Sequence, residues 1–132
     1  MQVREIPPSR WRDFFDTFSV QHEDWITSIE VTADGAERVE ALELPLVGVS
    51  ADSKGSEPNA IEVEVGRGSS DQLTHLIEDA ERVRFSQSDD EAQLLLEIES
   101  SDGERTAIRL RRATREELAS RPKKERSRRA TG

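Results

Sequence analysis

The sequence predicts a mainly β fold: an N-terminal amphipathic helix packed on a small barrel or twisted sheet of six to seven mostly antiparallel strands. Three observations predict this fold. Aromatic residues near the N-terminus have helical spacing, later segments alternate apolar and polar residues with the period of a strand, and two Asp-Gly pairs mark hairpin turns. The alternative is an α+β fold with a second helix over residues 71–80.

The N-terminal helix is predicted over about residues 10–22. Its apolar face consists of four aromatic residues at positions i, i+3, i+4 and i+7, namely Trp11, Phe14, Phe15 and Phe18. Ser9 precedes them, and its hydroxyl is suited to accept a free backbone N–H as the N-cap. His22 is expected at the C-terminal end, as a cation that interacts favourably with the helix dipole.

The first strands are predicted directly after this helix. Alternating positions place four residues on one strand face, namely Trp25, Thr27, Ile29 and Val31. Asp34-Gly35 predicts a tight turn, after which the chain returns over residues 39–44. The apolar pattern changes face between Ala41 and Leu42, which predicts a bulge, and Pro45 is expected to end the strand. Another strand is expected over residues 46–51.

The second half of the chain contains further alternating segments. In residues 61–65 apolar residues alternate with Glu62 and Glu64, which predicts a strand with one solvated face. Residues 71–80 are ambiguous, because their apolar positions fit either a helix or a strand. Short strands are predicted around residues 83–85, 94–98 and 106–110, and Ser101-Asp102-Gly103 is expected to form the last turn.

The charges are unevenly distributed along the chain. The 132 residues include 28 acidic and 19 basic side chains, for a net charge of −9. Residues 111–132 hold nine basic and three acidic residues, so the remainder is strongly acidic. We predict a single globular acidic domain over residues 1–112 and a basic, largely disordered tail over residues 113–132.

The composition excludes several classes of protein. Without cysteine, disulfides, thiol catalysis and thiolate metal sites are excluded. The apolar runs are far shorter than the roughly 20 residues of a membrane-spanning helix. The first residues contain no apolar core of a secretory signal. We therefore expect a cytoplasmic protein without a membrane partner, and the oligomeric state stays open.

Candidate chemistry concentrates in residues 66–77. Ser69, Ser70, Asp71 and His75 are the residue types of a hydrolase, but the G-x-S-x-G nucleophile motif is missing. Gly66-Arg67-Gly68 resembles part of a phosphate-binding loop, yet Asp71 stands at the third glycine position, where its charge would repel phosphate.

No histidine grouping in the sequence has the spacing of a zinc protease. We therefore predict no catalytic, cofactor-binding or metal-ligating residues and no cofactor. Three residues stay as candidates for ligand binding: His75, Asp71 and Trp25.

The basic tail is the most distinctive functional feature of the sequence. Six basic residues cluster within it, namely Arg121, Lys123, Lys124, Arg126, Arg128 and Arg129. Such segments bind phosphate backbones by counterion release, without reading a base sequence. No aromatic residue lies among them, so base stacking is not predicted. The alternatives are a solubilising tail and a tail that folds back on the acidic domain.

Four short motifs resemble a family of small acidic bacterial proteins of unknown function. They are Arg4-Glu5-Ile6-Pro7 with Trp11, Leu44-Pro45-Leu46 with Gly48 and Ser50, Leu73-Thr74-His75 with Ile77, and Leu96-Glu97-Ile98-Glu99 before Asp102-Gly103. The resemblance covers about residues 2–110, and it implies a stand-alone bacterial domain. It implies no activity and no functional residues. Related chains are expected to carry proline near position 80, where this chain has Ala80.

The expected function is that of a non-enzymatic binding or regulatory module whose partner is a protein or a small ligand. This expectation rests on the missing catalytic set. One alternative is weak, sequence-independent association with nucleic acid through the basic tail. The other is a hydrolase-like enzyme that uses the loop over residues 66–77.

Overall fold

The computed structural model describes residues 2–52, 59–68 and 71–119. The strands in these ranges are β1 (Gln2–Ile6), β2 (Ile26–Ala33), β3 (Ala36–Asp52), β4 (Ala60–Val65), β5 (Leu73–Ile77), β6 (Ala80–Gln87), β7 (Gln93–Ser100) and β8 (Arg105–Arg111). The helices are α1 (Trp11–Gln21) and α2 (Arg115–Ala119), with a short 3-10 helix over Pro8–Arg10 before α1.

The strands form one antiparallel sheet in the order β1-β6-β7-β8-β2-β3-β4-β5. The predicted mainly β, antiparallel fold with an N-terminal helix is confirmed. The strand number is eight rather than six to seven, because the first residues pair with β6 as an additional strand. The barrel is wrong, since β1 and β5 form the two edges of the described sheet and do not pair with each other.

The bulge predicted in β3 lies at the expected place. Ile29 of β2 lies opposite Ala41, whereas Thr27 lies opposite Leu44, so β3 contains one residue more than its partner over this stretch. Glu43 adopts a positive φ of 53° within the bulge. The extra residue reverses the face to which the following side chains point.

Pro45 does not end this strand, contrary to the prediction. β3 continues through it for 17 residues in all, and it changes its partner here. Pro45 lies opposite Ile26 of β2, and the next residue, Leu46, lies opposite Val65 of β4. Proline is tolerated because its missing N–H falls where one strand pairing stops and the other starts.

The ambiguous segment over residues 71–80 is a strand, so the second-helix alternative is wrong. His75 of β5 lies opposite Val63 of β4. Ile77 is buried, whereas Leu76 is 44% exposed, which is the alternation of a strand. This segment forms a strand because β4 has an otherwise unpaired edge, and the backbone N–H and C=O groups of that edge need hydrogen-bond partners.

Helix α1 packs on the sheet through the aromatic face that the sequence predicts. Trp11, Phe15 and Phe18 are buried. Ser19 fixes the helix to β3, because its Oγ donates to the Val49 carbonyl at 2.9 Å and accepts from the Val49 N–H at 2.8 Å. The helix therefore has one defined position on the sheet.

The predicted N-cap of α1 is wrong. Ser9 lies inside the 3-10 helix, and Arg10 holds the N-cap position without a side-chain capping bond. The Arg10 N–H donates to the Pro7 carbonyl at 2.8 Å, so the 3-10 turn leads directly into the helix. The buried Trp11 indole anchors this start by donating to the Ile6 carbonyl at 2.8 Å.

The two predicted hairpin turns are confirmed. Asp34 and Gly35 have positive φ values of 54° and 79° between β2 and β3. Gly103 has a φ of 92° between β7 and β8, and its N–H donates to the Ser100 carbonyl at 3.0 Å. Both turns use the left-handed backbone that glycine and aspartate tolerate.

The described chain continues past the predicted domain boundary at residue 112. Arg111 donates two hydrogen bonds to the carboxylate of Glu117, both at 2.9 Å. Thr114 and Glu117 form a capping box at the start of α2, with bonds of 2.8 and 3.1 Å. The Arg111 guanidinium and the Thr114 N–H lower the pKa of Glu117 to about 2. The beginning of the predicted tail is thus tied to β8.

Candidate functional site

Asp71, the first predicted binding candidate, holds the backbone of its own loop. Its Oδ1 accepts hydrogen bonds from the N–H groups of Arg67 at 2.8 Å and Gly68 at 3.2 Å. Its Oδ2 accepts from the Arg67 guanidinium at 2.9 Å. The Arg67 N–H is the main cause that lowers the pKa of Asp71. The carboxylate closes a turn, which is a common role of aspartate.

His75, the second candidate, lies half-buried on the edge strand β5. Burial lowers the pKa of His75, and the charges that also act on this pKa are Glu40, Glu104 and Arg38. In the described part of the chain, the structure does not bring His75 and Asp71 into a hydrogen-bonded pair. Ser69 and Ser70 lie outside the described residues.

Trp25, the third candidate, lies in the turn between α1 and β2 and is half-buried. Its backbone is held on both sides: its N–H donates to the His22 carbonyl at 3.1 Å, and its carbonyl accepts from Leu46 N–H at 2.8 Å. The Thr27 hydroxyl also donates to this carbonyl, at 3.0 Å. These hydrogen bonds fix the Trp25 backbone, and the residue lines a pocket.

This pocket has a volume of about 370 Å³ and lies at one end of α1, next to β1, β6 and the chain after β8. Five ring side chains line it, namely Phe14, Phe18, His22, Trp25 and Phe85. We call it the aromatic pocket. Four of the six phenylalanine and tryptophan residues of the chain are among them.

The five rings form a continuous row. The Phe85 and Phe14 centroids lie 5.7 Å apart with the rings edge to face, and Phe14 lies 5.8 Å from Phe18. The Phe18 and His22 centroids lie 4.3 Å apart, and His22 lies 4.7 Å from Trp25 at a right angle. These are favourable aromatic geometries, so the rings support one another's orientation.

An arginine lies at each end of the row. The Cζ atom of Arg4 is 5.8 Å from the Phe14 centroid and 5.9 Å from that of Phe85. The Cζ atom of Arg112 is 5.6 Å from the Trp25 centroid. All three distances are those of cation–π contacts. Among the described residues, no carboxylate forms a salt bridge with either guanidinium.

His22 lies in this pocket at the predicted end of α1, where burial disfavours the charged form that the sequence predicts. Its Nδ1 lies 2.8 Å from the Phe18 carbonyl oxygen, so Nδ1 must carry the hydrogen and donate it. Burial lowers the pKa of His22, and the bond to Phe18 offsets part of that effect. The net effect is a lowered pKa, which favours the neutral ring over the imidazolium.

Of the residues that line the pocket, the sequence analysis names only Trp25 as a binding candidate. Phe14, Phe18 and His22 are spaced by four residues, so they form one stripe along the helix. This spacing is a sequence pattern from which their shared position could have been predicted. Arg4 and Phe85 come together because they lie opposite each other in the β1–β6 pairing. That pairing joins distant parts of the chain and leaves no local pattern.

A second cavity of about 310 Å³ lies on the solvated face of the sheet, and its arginines are already paired. Arg109 contacts Glu30 at 3.4 Å, and Arg111 contacts Glu117 at 2.9 Å. Glu30 and Glu117 therefore neutralise the two arginines of this cavity. The aromatic pocket is the better candidate site because its two arginines keep their charge for a ligand.

Two further features are absent from the described ranges. No group of three or more histidine, aspartate or glutamate side chains there could hold a metal ion. No helix in these ranges is long and apolar enough to cross a membrane. The basic residues from Arg121 to Arg129 lie outside the described chain, so the predicted nucleic-acid contact stays a prediction.

The lowered pKa of His22 predicts a loss of stability on acidification. Between the folded-state pKa and the unfolded value of 6.5 the unfolded chain binds more protons, so the free energy of unfolding falls as pH drops below 6.5. His22→Asn keeps an N–H donor for Phe18 and removes the titration. Urea unfolding at pH 7.5 and 5.5 should show a smaller loss in this variant than in the wild type.

His75→Asn is the second variant in this comparison, because the pKa of His75 is also lowered by burial. It should remove a second, separate part of the pH dependence, and the double variant should be the least sensitive. If neither substitution changes the difference between the two pH values, the two histidines are not buried in the uncharged form.

Comparisons with known proteins add one finding. A family model with the description "Family of unknown function (DUF5335)" matches residues 2–118. A search of curated proteins and a search of solved structures gave no match.

Proposed function

The chain belongs to the DUF5335 family, for which no function is described, and we propose that it is a non-enzymatic binding module whose aromatic pocket holds a small flat ligand. One observation carries this proposal. Most of the aromatic residues of the chain line one pocket, and Phe14, Trp25 and Phe85 are only half-buried there. These three rings pack against the rim of the core and keep part of their surface exposed to a ligand, whereas Trp11 and Phe15 are buried in the core.

The size of the pocket limits the ligand. A volume of about 370 Å³ lies near the lower end of the range of small-molecule sites, about 300–1,000 Å³. One or two fused rings are therefore the expected size. Such a ligand gains about 25 cal/mol for each Å² of apolar surface that binding removes from water. It also adds edge-to-face contacts to the existing row of rings.

The chemistry of the pocket favours binding over catalysis. The hydrogen on Nδ1 of His22 goes to a backbone carbonyl, whereas the histidine of a Ser-His-Asp triad is oriented by a carboxylate. Among the described residues of the segment 66–77, no contact supports the hydrolase alternative, because Asp71 is engaged by Arg67 and Gly68. Association of the basic tail with nucleic acid stays a separate prediction.

The two tryptophans provide a direct test in solution. The indole N–H of Trp11 is buried and bonded to Ile6, whereas Trp25 lines the pocket. In a ¹H–¹⁵N spectrum, indole, quinoline or 2-naphthamide should shift the Trp25 indole signal and leave that of Trp11 in place. Trp25→Phe assigns the two signals. If none of these compounds moves the Trp25 signal at millimolar concentration, the pocket does not bind such ligands.

Trp25→Ala should weaken binding of whichever of these compounds binds. The loss should be about tenfold or more, since ring contact and buried area together exceed about 1.4 kcal/mol. Leu76→Ala is the matched control, because Leu76 is an exposed apolar residue on β5, away from the pocket. Equal losses in the two variants would contradict the assignment of the site.

A further inference from the structure

The aromatic pocket is positively charged in an acidic protein. The chain has a net charge of −9, yet the lining of the pocket contains two arginines, Arg4 and Arg112, and one carboxylate, Glu91. We propose that the ligand is an aromatic acid, whose ring lies along the row of rings and whose carboxylate pairs with Arg4 or Arg112. This inference rests on the proposed function.

Arg4 is available because the neighbouring acid has other partners. Glu5 follows it on β1, and successive residues of a strand point to opposite faces of the sheet. Glu5 lies 3.7 Å from Arg82 and 4.0 Å from Arg84 on the solvated face. Arg4 is left on the other face, over the rings of Phe14 and Phe85.

Arg112 is available for a similar reason. Glu117 of α2 is engaged elsewhere, because Arg111 binds both of its carboxylate oxygens at 2.9 Å. Glu91 lines the same pocket, and no salt bridge joins it to Arg112. Arg112 instead lies over the Trp25 ring. The positive charge of Arg112 contributes to the lowered pKa of Asp90, although the two side chains form no salt bridge. The nearby Asp90 carboxylate makes this end of the pocket the less positive one.

A guanidinium over a ring face still offers N–H donors to an anion. Arginine binds a carboxylate through two parallel hydrogen bonds, which are stronger than bonds between neutral groups. The ring beneath orients the guanidinium before the ligand arrives, so less side-chain freedom is lost on binding. An aromatic acid forms contacts with the rings and an ion pair with the arginine at the same time. A neutral aromatic compound forms only the ring contacts.

The test compares two compounds of nearly equal shape and different charge, 2-naphthoate and 2-naphthamide. Their affinities for the full chain are measured by titration calorimetry at low salt and neutral pH. We expect 2-naphthoate to bind at least about tenfold more tightly. Arg4→Met and Arg112→Met keep an apolar stem over the rings, and their combination should abolish the preference.

Arg12→Met is the matched control for either single variant, because Arg12 is exposed on α1 outside the pocket lining and its loss also removes one positive charge. It should keep the preference for 2-naphthoate. Equal binding of both compounds to the wild type, or a preference that survives the double substitution, overturns this inference while the proposed function stands. If neither compound binds, the proposed function fails as well.

Discussion

Phe15→Ala should lower the free energy of unfolding by about 3–5 kcal/mol. Phe15 is fully buried between α1 and the sheet, and its ring contacts Phe14 edge to face at a centroid distance of 5.4 Å. The substitution removes the buried ring and leaves a cavity that its neighbours fill only partly. Because domains of this size are stable by about 5–15 kcal/mol, the variant should be close to unfolding.

Urea unfolding, followed by circular dichroism, measures this loss. Val20→Ala is the matched control, since Val20 lies on the same helix and is 80% exposed, so its loss should stay within about 0.5 kcal/mol. Phe15→Ala should also weaken ligand binding, because α1 carries Phe14 and Phe18 into the aromatic pocket. A loss below about 1 kcal/mol would contradict the described packing of α1.

Gly66→Ala should cost about 2–5 kcal/mol through backbone strain and overlap together. Gly66 follows β4 with a φ of 141°, which residues with a side chain rarely adopt. A Cβ at this position would lie 2.6 Å from the Cα of Gln72 and 3.0 Å from the carbonyl oxygen of Asp71. Both atoms belong to the backbone, so no side-chain rotation relieves the overlap.

Gly103→Ala separates the two causes. Gly103 also has a positive φ, of 92°, but a Cβ there would have no atom within 4 Å. Its substitution should cost only the backbone term, about 1–2 kcal/mol. Urea unfolding of both variants gives the comparison. If they lose the same stability, the close approach of Gly66 to Gln72 does not exist in solution.

The elements that the sequence predicts well are those encoded by neighbouring residues. The aromatic spacing of α1, the turn at Asp34-Gly35 and the alternation of β4 are each local patterns, and all three are confirmed. Helical and strand periods act within a few residues, so they are visible in one segment at a time. The bulge in β3 is predicted for the same reason, because the change of face at Ala41 is local.

The elements that the sequence analysis missed, misjudged or left ambiguous depend on a partner strand. β1 is a strand because β6 supplies its hydrogen bonds, and β5 is a strand because β4 does. Pro45 lies inside β3 because the strand changes partner there. In each case the local preference is weak or ambiguous, and hydrogen bonds between distant segments decide the structure.

The same division applies to the candidate site. The sequence by itself determined the rings on α1, the candidate Trp25 and the acidic character of the protein outside its basic end. Only the tertiary structure placed Arg4 and Phe85 beside these rings and Arg112 over Trp25. The physical reason is that strand pairing aligns residues far apart in the chain, and charges become available to a ligand only when the fold engages their acidic neighbours elsewhere.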